Sequence, residues 1–209
     1  MFDFGNGPVP AHQRVNGGGW VADTAQVDQT AYVGPSARIY GQARIFGRAS
    51  ILGQARVLDE AWVYGDARIC GYAGVSGRAH ISGRARVGGG ARVSGLAYVS
   101  GLAYVSGHAR VYGRAWVSGH ALVYGHARIY GDAYLYGDAN VYGEAEVSGP
   151  ARIYGGADLY DHIQVSGNTQ IFVETRVSDP PRPSDNDELP DGSLEEEFFS
   201  RISADTQNL

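Results

Sequence analysis

Apolar residues recur along this chain with a period of two that resets every six residues. From Val21 to Arg176 the sequence divides into 26 consecutive six-residue units with no insertion, of which Ile39-Tyr40-Gly41-Gln42-Ala43-Arg44 is typical. The first position is Val, Ile or Leu in all 26 units, the fifth is Ala in 23, and the third is Gly in 20. The exceptions at the fifth position are Ile163, Thr169 and Thr175. Alternation of this kind predicts short strands with one buried face, because successive side chains of a strand point to opposite sides. An α-helix needs apolar residues three and four apart, and the pattern refuses that spacing. The recurring Gly supplies a corner that other residues turn at a cost. Two inward residues per side and a turn after each side predict a three-sided coil of 18 residues.

The inward positions are kept clean. No Asp, Glu, Lys or Arg occupies the first or fifth position of any unit. Asp23, Asp59 and Asp161 replace the corner Gly, as expected of a residue that tolerates unusual turn geometry. Twenty-six units make between eight and nine coils, a rod about 40 Å long at roughly 4.8 Å per coil. Each coil bonds only to its neighbours, so both ends expose strand edges and need covering. The predicted division is an N-terminal cap over residues 1–20, which hold Phe2, Phe4 and Trp20, and a solenoid over 21–178. A Pro-rich acidic linker follows over 179–192, then an acidic tail over 193–209. Within that tail Ser193-Leu194-Glu195-Glu196 has the form of a capping box, and Leu194, Phe198, Phe199 and Ile202 fall on one helical side. A short C-terminal helix is therefore expected there.

A three-sided coil places residues 18 apart above one another. One face then stacks Trp62, His80, Tyr98, Trp116 and Tyr134, flanked by Phe46, Tyr64, Tyr136 and Tyr154. The second is mixed: Tyr32, Ser50, Arg68, Arg86, Tyr104, Leu122, Asn140. The third stacks Arg38, Arg56, Gly74, Arg92, Arg110 and Arg128, with Tyr40, Tyr112 and Tyr130 beside them. An aromatic stripe several coils long is more than a monomer ordinarily exposes. Trp62, Tyr64, Tyr98, Trp116, Tyr134 and Tyr136 are accordingly candidates for an oligomer interface. The competing reading is that Tyr simply suits a strand surface and stacks along its own ladder.

Composition sharpens this picture. Gly accounts for 31 of 209 residues, without the three-residue period of collagen. One Cys and one Met exclude a disulfide scaffold and a cysteine-rich metal site. All 17 basic residues are Arg. The formal net charge of −5 conceals an asymmetry. Residues 38–128 carry 12 Arg against Asp59, Glu60 and Asp66, whereas 179–209 carry nine acids and two Arg. The Arg column sets like charges one coil apart, which repels unless something neutralises it. Arg38, Arg56, Arg92, Arg110 and Arg128, together with Phe198 and Phe199 of the tail, are the candidate partner-binding residues. Solubility of that face is the bland explanation, a protein partner the next, and nucleic acid or a nucleotide a third. No apolar run approaches the roughly 18 residues of a membrane span. The first residues lack a basic segment leading into an apolar one, so a cytoplasmic protein is expected.

The units Val27-Asp28-Gln29-Thr30-Ala31 and Val33-Gly34-Pro35-Ser36-Ala37 resemble those of the hexapeptide-repeat proteins. The later V-Y-G-x-A-R and V-S-G-x-A-x units are similar to a near-perfect tandem subtype found in bacterial and phage proteins. The resemblance spans about 156 of the 209 residues. It implies a left-handed parallel β-helix and, since family members commonly trimerise, a homotrimer. It also implies a phage or prophage accessory protein that binds or blocks a host component.

The family includes coenzyme A-dependent acyltransferases that use a histidine base between subunits. His108, His120 and His126 are the residues that could take that role, with a coenzyme A thioester as cofactor. Such enzymes shape their pockets with long loops interrupting the repeat, and this chain has none. The family's zinc carbonic anhydrases pair histidines five apart, whereas His120 and His126 are six apart, so no metal site is expected. Thr occurs in the repeat only near its ends, against an ice-binding face. The leading expectation is therefore an all-β, non-enzymatic structural or protein-binding module with no cofactor. A self-polymerising scaffold and an anion- or nucleic-acid-binding rod are the further alternatives.

Overall fold

The structure, a computed structural model, describes residues 1–172 and the strand Arg176–Ser178. The chain is a parallel β-solenoid. Its three sheets each stack nine parallel strands along the rod, and one sheet carries a tenth, antiparallel strand at its edge. Strand partners are 18 residues apart throughout, as in Val63↔Ile81↔Val99, which is the coil length that the six-residue units require. Most strands are only two residues long, an outward residue followed by the inward aliphatic one, as in Tyr98–Val99. Their amides bond along the rod: Tyr98 N donates to Ala115 O and Ser100 N to Val117 O, both at 2.9 Å.

The interior is a column of Val, Ile and Leu alternating with Ala. From Ala31 to Leu159 every first and fifth position is fully shielded from solvent. Ala is needed because aliphatic residues arrive from three sides into a narrow prism, and a larger side chain would overfill it. The column thins at both ends, where Ala25, Val27, Ile163 and Ile171 are only partly buried. Thr169 faces solvent and turns its hydroxyl to Ser166 O at 2.6 Å.

Corner Gly is required twice over at a position such as Gly119. Its φ is +71°, and a Cβ there would lie 2.7 Å from Gly137 N of the next coil. Asp59 and Asp161 take the same left-handed conformation, with φ of 59° and 56°. Asp59 holds it by accepting a hydrogen bond from Gly77 N at Oδ2, 2.9 Å away. Asp23 does not share that conformation. The corners of the first coil, at Asp23, Gln29 and Pro35, turn without a positive φ, and a proline could not adopt one.

The first residues form two small antiparallel pairings. β1 (Phe2–Asp3) pairs with β2 (Pro8–Val9), and Asp3 Oδ1 accepts from Gly5 N and Gly7 N inside that turn. β3 (Ala11–Gln13) runs antiparallel along the outer edge of β4 (Trp20–Ala22), the first strand of the arginine face. Phe2 stacks on Trp20 at 4.3 Å and Phe4 on Tyr40 at 4.9 Å. The expected linker at 179–192 and helix in 193–209 lie outside the described residues.

Candidate interaction faces

The aromatic column forms as its spacing requires. Trp62, His80, Tyr98, Trp116 and Tyr134 occupy successive rungs in direct register. Ring centroids are 5.3 Å apart between Trp62 and His80, 4.7 Å to Tyr98, 4.9 Å to Trp116 and 6.3 Å to Tyr134. The rung spacing of a sheet is close to the stacking distance of aromatic rings, so a column of them is self-consistent. A cation closes each end: Arg44 lies 4.9 Å over Trp62, and Arg152 lies 5.8 Å over Tyr134. Because rings cover one another's faces, what reaches solvent is their rims. Trp116 and Tyr134 remain about 40% exposed. Burial in this stack pushes the His80 imidazole below its ordinary pKa, since charging it there means losing water.

Beside this ridge lies a trough. On the same three rungs as His80, Tyr98 and Trp116, the neighbouring outward column is Ser82, Ser100 and Ser118. Large residues close the trough at both ends: Tyr64, 6.4 Å from His80, and the stack Tyr136–Tyr154–Phe172. Leu96 and Leu102 stand exposed on the corners that border the central rung. On their N-terminal side the corners are charged, with Arg78 paired to Glu60 at 3.0 Å and Arg48 to Asp66 at 2.8 Å, and on the other side stand Arg114 and His120.

The arginine column is also in register: Arg38, Arg56, Gly74, Arg92, Arg110 and Arg128 are consecutive. Its far end is neutralised, since Arg128 donates to Glu146 Oε1 at 2.9 Å one rung on. Tyr112 and Tyr130 stack alongside at 5.0 Å. Burial raises the Tyr112 hydroxyl's pKa, as do Tyr130 and Glu146, against the lowering effect of Arg128 and Arg110. On the mixed face Tyr124, Tyr142 and Tyr160 form a further stack, at 4.9 and 5.2 Å.

The three candidate histidines are not brought together. His108 and His126 stack at 5.2 Å on one corner of the prism. His120 stands on another corner, 3.8 Å from Asp138. His162 shares the first corner and pairs with Glu144 at 3.0 Å. A surface hollow lined by Phe2, Trp20, Pro35, Ser36, Arg38, Gln54 and Arg56 lies at the first two coils. It is about 14 Å from His108, counting three rungs. Phe198 and Phe199 lie outside the described residues.

The spacing rule placed Trp62, Tyr64, Tyr98, Trp116, Tyr134 and Tyr136 on one face, and that is where they stand. What sequence reasoning passed over were the small and the terminal members of the columns: the serines, Leu96, Leu102, Glu146, and the closing Arg44 and Arg152. All but Leu96 sit at a multiple of 18 residues from a residue already singled out, so the same rule reaches them.

Together the coil, the corners and the columns define a β-solenoid repeat protein. At residues 103–119 the chain is similar to the family described as YdcK beta solenoid repeat. No curated protein matches the chain.

Proposed function

We propose that this protein is a non-enzymatic structural and protein-binding module that assembles with copies of itself through its aromatic face. One observation carries the reading: the ridge of His80, Tyr98 and Trp116 runs beside a trough of Ser82, Ser100 and Ser118 on the same rungs. A rotation axis parallel to the rod brings the ridge of one copy into the trough of the next. Both two-fold and three-fold closure satisfy that contact. The three-fold form agrees with the trimer implied by resemblance to hexapeptide-repeat proteins. The exposed Leu96 and Leu102 supply apolar contact at the centre, with the Arg78–Glu60 and Arg48–Asp66 corners on one side and Arg114 and His120 on the other as the polar rim.

Sedimentation equilibrium tests this. Wild-type protein is expected at a small integer multiple of 22.3 kDa. Tyr98→Asp/Trp116→Asp is expected at the monomer mass with unchanged circular dichroism, and Arg92→Glu/Arg110→Glu at the wild-type mass. A wild-type monomer throughout the micromolar range would overturn the reading.

A further inference from the structure

We propose that the hollow at the first two coils of the arginine face binds a phosphorylated small molecule bearing an apolar group. The hollow measures about 330 Å³. Two of its lining residues, Arg38 and Arg56, are direct neighbours on adjacent strands. Their backbones are therefore about 4.8 Å apart. Among the described residues neither guanidinium has an acidic partner, and no Asp or Glu lines the hollow. Two like charges this close repel, and the repulsion is relieved by an anion that both can share. A phosphate suits them, because each planar guanidinium offers paired donors that match its oxygens.

The remaining walls add selectivity. Phe2, stacked on Trp20, and Pro35 form an apolar side, with Arg38 held 5.4 Å over the Phe2 ring. Ser36 and Gln54 are the uncharged polar members, and the Gln54 amide donates to Tyr72 Oη at 3.3 Å. The next residue in the arginine column is Gly74, where a Cβ would meet nothing within 4 Å. Arg56 therefore has open space beside it into which it can turn toward a ligand. The remaining arginines lack this setting. Arg128 already serves Glu146, and Arg92 and Arg110 have no N-terminal strands folded beside them. This site is independent of the aromatic face, and self-association neither requires nor precludes it.

The experiment is isothermal titration of the full chain with inorganic phosphate and with phenyl phosphate, at low ionic strength. Saturable binding at one site per chain is expected, with phenyl phosphate the tighter ligand because it also covers the Phe2–Pro35 side. Arg56→Gln is expected to weaken phenyl phosphate about tenfold, the loss of one charge-assisted contact. Arg92→Gln, one charge fewer on the same column but outside the hollow, is expected to leave the affinity unchanged. The proposal is overturned by any of four results. These are no saturable binding to wild type, an unaffected Arg56→Gln, equal losses from Arg56→Gln and Arg92→Gln, or equal affinity for the two phosphates. The third would mean a diffuse field rather than a site, and the fourth would remove the apolar wall.

Discussion

The aromatic face and the arginine face stand on the same backbone, the same corners and the same Val/Ala interior, yet their columns have opposite energetic character. Repeating an aromatic residue every 18 positions puts each ring in contact with the next, so each addition reinforces the last. Repeating Arg at the same interval accumulates repulsion, which the chain breaks at Gly74 and ends with Glu146. The comparison teaches that a solenoid amplifies whatever it displays. An attractive residue becomes a cohesive stripe, and a charged one becomes a field in need of a counter-charge.

Damage to the shared interior should remove the contrast altogether. Val99, fully buried beneath the aromatic face, tests this. Val99→Asp forces a carboxylate into a core with no partner and is expected to cost about 4 kcal/mol or more, read by urea unfolding. Loss of structure across all three faces, seen in far-UV dichroism, is the expected outcome, and a wild-type midpoint would contradict the packing described. Gly119→Val ranks next. It combines a β-branched residue at positive φ with a Cβ against Gly137 N, and a loss of about 3 kcal/mol is expected in the same measurement.

The faces themselves then separate. Tyr98→Ala removes a ring stacked on both sides and is expected to lower stability by about 2 kcal/mol. Arg110→Ala relieves repulsion from Arg92 and Arg128 and is expected to leave stability unchanged or slightly raised, within about 0.5 kcal/mol. Similar losses from both variants would erase the distinction drawn between the two columns.

The smallest effect is a pH dependence. The folded pKa of His80 lies below its ordinary value, so the unfolded chain binds more protons in that range. Stability therefore falls as pH drops through the ordinary histidine value toward the lowered one, and the loss is complete below it. His80→Tyr keeps a ring in the stack and removes that proton. The melting-temperature difference between neutral and mildly acidic solution is expected to shrink in the variant. An unchanged difference would show that burial of His80 does not carry the sensitivity.

The fold was legible because it depends on odd positions, where Val, Ile, Leu and Ala report their own burial. The columns followed by counting 18. Less legible was anything that depended on departures from the repeat. Asp23 looks like Asp59 in sequence, but of the two only Asp59 turns left-handed, its carboxylate accepting from Gly77 N of the next coil. The hollow at Arg38 and Arg56 exists because β1 and β2 fold back beside Trp20, and no periodicity encodes residues 1–20. Ser82, Ser100 and Ser118 drew no notice because each is unremarkable alone and becomes a trough only beside the ridge.

The corners have a further consequence for how such a chain can lengthen. Between Ala31 and Leu159 the units are interchangeable at their inward positions, so an insertion of six residues there would leave the interior continuous while turning all that follows by one third of a revolution. Downstream of it, arginines would continue the stripe that aromatics had begun. Only gains or losses of a full revolution keep each stripe whole, and the surface pattern therefore constrains growth of the rod three times more tightly than its core does.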